Sequence, residues 1–569
     1  MQQNKFEESE KLLIQLKSQE PNSLAVTATL IQLYLRQDKS KQALEICREI
    51  TDNVNNAPAY ILSARTYATL GQPDKALEDL NRAISLKPDD VEVWIARSDF
   101  YRSTGHTNKA AEDIKHALSM APNNTLIQKR AISLFLTSKQ PDMISEGNTL
   151  LDKVLESNPD DTELQLFKVN SLLLEGTAPA IENVKQILQK ITEKAPEMSQ
   201  AWLMLGELML KQGQPGKAVD VALRGLAYKN NDKSLMLLKA RAETVRSPIL
   251  AIPTLKELCV LDPNDTDAVM LLAGTYLTTG EPQKAVNILR QQLLTCEPPV
   301  NRNCRIVLAV ALYKAGSKSE AQEEFNTLTE SDPNDPSPLL AQVQLLKEEQ
   351  LWNQLNLKVV ERYQKYPDDS HTPVLIARDL ASLDNKEARE TAEDILRLVL
   401  KNDPSSTEAM SVLAILLEMT GRSDESAELY RRLIELQPEN LIAINNLAWI
   451  LSEKKGQYQR ALELAQKGLK LAPNYIDLVE TRGVVFYRMG ELTKSINDLT
   501  RCVELYPISS GQYVGASFHL ARALNQIGRK EEALKYLNQA LDSEAKTTGL
   551  STAELNEAKH LLIKLQEGN

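Results

Sequence analysis

The sequence predicts an all-α chain of stacked helical hairpins. Three observations carry that prediction: a turn signal returns about every 34 residues, apolar positions recur three and four apart between those signals, and the composition is poor in the residues that β-structure needs. The chain has 569 residues with only 21 Gly and 7 Phe, whereas all-β architectures rely on glycine in their turns and aromatics in their strands. Hydrophobic residues make up 42% and charged residues 25%, a balance too apolar for disorder and too polar for a membrane-embedded protein, so a soluble fold is expected. A formal net charge of -11 disfavours general binding to nucleic acid or to anionic membranes, both of which require a dominant positive field, although it leaves room for a local basic patch.

The period is read from short turn signals, among them Pro21, Asn55, Pro88, Pro122, Pro159, Pro196, Asn230, Pro263, Pro404, Pro438, Pro473 and Pro507. Pro21 and Pro507 are 486 residues and fourteen steps apart, a mean of about 34.7. Between marks lie two amphipathic runs joined by a short turn. In Val91–Asn124, Trp94, Ala96 and Tyr101 belong to a first helix that stops at Gly105, and Ala110, Ile114 and Ala117 line one face of a second that ends near Pro122. The small residues Ala110 and Ala117 permit close helix approach, and proline is tolerated where one helix has ended and the next begins.

These units resemble the tetratricopeptide repeat family, whose signature is a bulky residue, Leu-Gly, an aromatic, a small residue and a late proline. Trp202, Leu205, Gly206, Met209, Gly213 and Ala218 follow that order, as do Tyr60, Ala64, Tyr67, Gly71, Ala76, Ala83 and Pro88. First helices are expected to begin near residues 24, 57, 91, 125, 162, 199, 232, 266, 302, 336, 370, 407, 441, 476 and 514, about fifteen repeats covering nearly the whole chain. The units near 125, 162 and 370 run about three residues long and lack the glycine, which suggests an extended hairpin turn. Arg246–Pro253 is expected to replace a clean turn and to bend the array. The resemblance implies a right-handed superhelical solenoid whose first helices line a concave groove for partner proteins or peptides.

The chain divides into three segments. Residues 1–22 read as the second helix of a partial repeat, with Phe6, Leu12, Leu13 and Leu16 on one face, or as an N-terminal cap; residues 23–547 form the repeat array. The absent first helix suggests a natural chain extending upstream of Met1. Residues 548–569 read as a C-terminal capping helix, opened by the capping-box sequence Ser551-Thr552-Ala553-Glu554 and carrying Leu555, Leu561, Leu562 and Leu565.

Five cysteines do not make a disulfide-built scaffold, but Cys296 and Cys304 flank the turn 297–303 and can pair across it in an oxidising compartment. No run approaches the roughly 18 apolar residues of a membrane span, and the first residues lack a signal-peptide core. The five histidines are scattered without zinc spacing, so no metal or other cofactor is expected. Gly213-Gln214-Pro215-Gly216-Lys217-Ala218 lacks the first glycine and the Ser/Thr of a phosphate loop and reads as a repeat turn. Cys47 and Cys502 read as small buried apolar residues of second helices.

By the positions that face the family's groove, two constellations emerge. Asn445, Trp449, Tyr487 and Arg488 have the composition of a binding hot spot, unless Trp449 packs between repeats. Arg36, Arg65, Arg102 and Lys129 come from four successive first helices and form either a basic stripe for an acidic partner or, since Glu92 and Asp99 interrupt it, a solvated face. Neither the family's carboxylate clamp nor its asparagine ladder is present; only Asn446 stands at the ladder position. The function expected is a non-catalytic scaffold for protein partners, in bacterial cell-envelope or exopolysaccharide-export assembly by resemblance. The alternative is the substrate-recruiting arm of an enzyme whose catalytic domain lies upstream of Met1. A saccharide groove is disfavoured by the 5% aromatic content. The compartment has the same fork: cell envelope with an upstream signal, cytoplasm without one.

Overall fold

The computed structural model describes residues 2–295 and 300–567, which form thirty-two α-helices and no strand. They fall into two compact units, residues 1–280 and 281–569.

Unit 1 opens with α1 (Gln2–Gln19). Seven hairpins come next: α2–α3 (Leu24–Arg36, Ser40–Val54), α4–α5 (Ala57–Thr69, Pro73–Leu86), α6–α7 (Val91–Ser103, Thr107–Met120) and α8–α9 (Thr125–Leu136, Pro141–Ser157). The other three are α10–α11 (Thr162–Glu175, Ala178–Lys194), α12–α13 (Ser199–Lys211, Pro215–Tyr228) and α14–α15 (Lys233–Arg246, Pro248–Leu261), and α16 (Thr266–Thr278) closes the unit.

Unit 2 begins with α17 (Pro282–Leu293). Its seven hairpins are α18–α19 (Val300–Lys314, Lys318–Ser331), α20–α21 (Ser337–Glu348, Trp352–Lys365), α22–α23 (His371–Ala381, Lys386–Asn402) and α24–α25 (Thr407–Met419, Ser423–Leu436). The last three are α26–α27 (Leu441–Glu453, Tyr458–Leu471), α28–α29 (Ile476–Arg488, Leu492–Leu505) and α30–α31 (Gly511–Gln526, Lys530–Glu544), with α32 (Thr552–Glu567) after them. Every expected first helix starts within three residues of its expected position.

Local chemistry sets these boundaries. Asn124, Asp161, Asp232, Ser406 and Asn440 cap first helices by accepting from backbone N–H groups that would otherwise lack partners. Proline stands in the first turn of α5, α9, α13 and α15, where its missing N–H costs nothing. Gly213 (φ +69°) and Gly421 (φ +78°) turn the chain between paired helices in the left-handed region that glycine enters without strain. Consecutive repeats are also tied by a recurrent bond. The fourth residue of the first helix reaches back to the proline carbonyl before it, from Trp94 Nε1 to Pro88 O at 2.8 Å and from Trp202 Nε1 to Pro196 O at 2.9 Å. Gln128 and Gln165 make the same bond to Pro122 and Pro159.

Three expectations require correction. The long units take up their extra residues mainly in the second helix: α9, α11 and α23 each have 17 residues where α5, α7 and α13 have 14, while the turns before them run over residues 137–140, 176–177 and 382–385. The unit beginning at residue 162 does contain its glycine, Gly176 at φ +67°. Arg246–Pro253 is no turn, because Ser247 alone separates α14 from α15 and Pro253 lies inside α15. At the start of the chain Leu13 packs on the first core, whereas Leu12 is 63% exposed. Cys296 lies outside the described residues, and Cys304 is buried in α18.

The last helix is built as its sequence promised. Ser551 and Glu554 exchange reciprocal bonds, Ser551 N to Glu554 Oε2 at 2.9 Å and Glu554 N to Ser551 Oγ at 3.3 Å. Ala558 and Leu565 are buried against α30 and α31, joined by Leu561 and Leu562. The preceding loop is pinned where Gly549 meets Gly511: a Cβ on Gly549 would lie 2.3 Å from the Gly511 carbonyl oxygen.

Candidate partner-binding face

The face that first helices leave uncovered in unit 2 is fixed by what they bury. In α24, Ala409, Met410, Leu413, Ala414, Leu416 and Leu417 turn into the core, leaving Ile415, Glu418 and Met419 outside. In α26, Ala443, Ile444, Leu447, Ala448 and Ile450 are buried, which leaves Ile442, Asn445, Asn446, Trp449 and Glu453 partly or fully exposed. Between the two helices lies a notch of about 270 Å³ lined by Ile415, Glu418, Met419, Tyr430, Asn446, Trp449 and Ile450. Its rim is apolar and open, with Ile415 47% and Met419 53% exposed.

The structure separates the first expected constellation. Asn445 Oδ1 accepts from Thr481 Oγ1 at 2.7 Å, so its carbonyl is bound to the next first helix. Arg488 pairs with Glu453, and Tyr487 lies under Arg522, whose guanidinium carbon is 4.7 Å from the ring centroid. Trp449 packs toward a later repeat and keeps part of its surface open. It is half-buried, its ring centroid 5.9 Å from that of His519 on α30, and it also lines the notch.

Sequence reading missed the polar groups behind this face. Burial pushes the Glu453 carboxyl up, but the Arg488 hydrogen bonds and charge outweigh it and hold the group below the ordinary range. His519 is enclosed, and desolvation lowers it against the opposing charge of Glu554, so the imidazole beside Trp449 is neutral near pH 7. Arg522 Nε lies 3.0 Å from Glu557 Oε1 on α32. Two carboxyls of α28 share one phenol, since Tyr506 Oη is 2.7 Å from Asp477 Oδ1 and 3.1 Å from Glu480 Oε2. One phenol proton cannot serve both, and desolvation pushes Glu480 up to about 8, so it holds its own proton near neutrality. Helical periodicity marks these residues as neighbours of the core but carries no sign that they meet one another.

Family models described as tetratricopeptide repeat match residues 57–100, 91–124, 379–441, 429–463 and 480–547. The chain is a tetratricopeptide repeat protein. A further model, described as anaphase-promoting complex, cyclosome, subunit 3, matches residues 251–327 of this repeat protein. The TPR repeat-containing protein PA4667 of Pseudomonas aeruginosa is 26% identical over 126 residues, which is 22% of this chain and only 21% of that relative. Among solved structures, the APC/C hetero-tetramer Cut9-Hcn1 aligns over 89% of this chain and 98% of its own at 15% identity and a TM-score of 0.35. Naa15/Naa10 bound to HypK-THB aligns over 96% and 97% at 12% identity and 0.31, and MamA over 28% and 90% at 24% identity and 0.25.

In unit 1 of this tetratricopeptide repeat protein the four basic residues do not converge. Arg36 is the thirteenth residue of its helix, Arg65 the ninth, Arg102 the twelfth and Lys129 the fifth, a spread of about 12 Å along a helix axis at 1.5 Å per residue. Lys129 is held by Asp161 at 2.8 Å and Glu163 at 2.7 Å. Asp99 takes Arg130 at 2.7 Å and lies 3.8 Å from Arg102. Arg36 and Arg65 remain exposed. Among the described residues, no group of three or more His, Cys, Asp or Glu side chains could hold a metal ion, and no helix is long and apolar enough to cross a membrane.

Proposed function

We propose that this tetratricopeptide repeat protein is a non-catalytic scaffold whose partner protein binds the first-helix face of unit 2, over α24, α26 and α28. The observation that carries the reading is the notch between α24 and α26. Apolar side chains at Ile415 and Met419 flank a half-buried Trp449, the combination of apolar rim and aromatic anchor on which protein interfaces concentrate their energy. Asn445, Tyr487 and Arg488 are engaged within the fold, by Thr481, Arg522 and Glu453 respectively, and Trp449 is the proposed contact. The narrower expectation of cell-envelope or exopolysaccharide-export assembly rests on the resemblance to the repeat family alone.

The test is site-specific photo-crosslinking in the native cell. A benzophenone amino acid at Ile415 or Met419 should trap a discrete protein partner, and the same group at Leu436, an exposed apolar position on α25, should not. Equal trapping at all three positions, or trapping at Leu436 alone, would refute the assignment of this face.

A further inference from the structure

The α24–α26 notch contains an unmet electrostatic demand. Glu418 lines it with a carboxylate whose Oε1 accepts from Ser423 Oγ at 3.0 Å, while Oε2 is shielded from solvent and has no hydrogen-bond partner. A shielded carboxylate oxygen without a donor is costly, because it has given up water and received nothing in exchange. The nearby amide and cationic donors have partners of their own. Asn446 Nδ2 donates to Tyr430 Oη at 2.9 Å. Arg422, in the turn after α24, binds Glu393 and Glu425, and Lys455 pairs with Asp424. Around the carboxylate, Ile415, Met419 and Ile450 supply aliphatic and thioether walls, and Trp449 and Tyr430 supply aromatic ones.

We infer that the notch receives a long basic side chain, that of lysine, from the partner protein. The geometry matches each part of such a side chain. Its methylene stem would lie against Ile415, Met419 and Ile450, and its ammonium would draw the partly exposed Glu418 side chain outward and pair with its carboxylate beside Trp449 and Tyr430. A volume of about 270 Å³ gives room for one long side chain. A purely apolar side chain would cover the walls and leave the carboxylate oxygen unpaired, and an acidic one would meet Glu418 with like charge. The chain's net charge of -11 favours a basic segment at longer range.

The inference rests on the reading of this face as the partner surface and adds the chemistry of what enters it. The experiment uses the full chain labelled with 5-fluorotryptophan, which gives four resonances for Trp94, Trp202, Trp352 and Trp449, the last assigned by Trp449→Phe. It is titrated with Nα-acetyl-lysine N-methylamide and separately with the norleucine counterpart, which keeps the stem and lacks the charge. The Trp449 resonance should move saturably, at a concentration at least tenfold lower for the lysine probe. Glu418→Gln should abolish that preference while the other three resonances stay in place. If Glu418→Gln displaces those three, Ile415→Lys replaces it, since a tethered ammonium should fill the notch and remove the response to the probe. Equal responses to the two probes, or a motionless Trp449 resonance, overturn the inference. Cross-links from Met419 without lysine preference would overturn it and leave the scaffold reading standing; lysine preference without cross-links would overturn the scaffold reading and, with it, the partner protein as the source of the lysine.

Discussion

Arg488 Nε donates to both carboxylate oxygens of Glu453, at 2.9 and 3.2 Å, across the 35 residues that separate equivalent positions on α26 and α28. The acid is the more enclosed partner, its side chain 13% exposed against 34% for the arginine. Arg488→Ala therefore strands a mostly shielded carboxylate. Because the pair retains some solvent, the expected loss is about 1–2 kcal/mol of local stability, less than for a fully buried pair. Hydrogen–deuterium exchange should show faster opening confined to α26–α28, since repeats contact only their neighbours.

His519 makes the last first helix acid-sensitive. Its folded-state pKa is depressed below the ordinary 6.5, so below that value the unfolded state holds more protons and stability falls as pH drops. Exchange in α30, corrected for intrinsic rates, should be faster at pH 5 than at pH 7. His519→Gln should remove most of that difference, and an unchanged difference would assign the effect to other groups.

Glu480 acts with the opposite sign. Its pKa is raised from 4.5 to about 8, so between those values the folded state holds the extra proton and stability declines as pH rises through 8. Glu480→Gln keeps the shape without the titration. The substitution should slow opening of α28–α29 at pH 9, by on the order of 2 kcal/mol, and have little effect at pH 5. Measuring exchange at both pH values separates this from a uniform packing change.

Gly549→Ala should release the C-terminal helix. The added methyl would meet the Gly511 carbonyl oxygen, a backbone atom that cannot rotate aside as a side chain does. Overpacking of this kind costs about 1–3 kcal/mol, and here it falls on the loop that seats α32. Protease cleavage within α32, slow in the parent, should become fast while hairpins of unit 1 keep their resistance. Gly206→Ala is the contrasting case, because its new methyl meets the flexible end of Leu238 and should be better tolerated.

The hairpin boundaries were legible because each is written locally: Gly105 at φ +79° follows α6, and Pro88 and Pro122 stand in the turns before α6 and α8. The length of α9, α11 and α23 was not, since a periodic pattern shows which face is buried but not whether extra residues extend a helix or the turn before it. At the site, Trp449 stood out by its residue type. His519 did not, because it meets Trp449 from seventy residues away, two first helices further along unit 2. Nothing in the sequence singles out Glu418; only the fold shows that one of its carboxylate oxygens is shielded and left without a donor.

The three long second helices also bear on how such a chain can diverge. Adding three residues to a helix of 3.6 per turn leaves the downstream residues only about 60° short of a full revolution, so Leu151, Leu188 and Ile395 keep their places in the core. An insertion of one or two residues at the same sites would swing the apolar stripe by roughly 100–200° and turn it toward solvent. Natural variants of this chain should accordingly tolerate length changes of three or four residues within second helices and reject changes of one or two. Such variants would gain or lose outer surface by whole turns while the first-helix face, and whatever it has come to hold, is inherited unaltered.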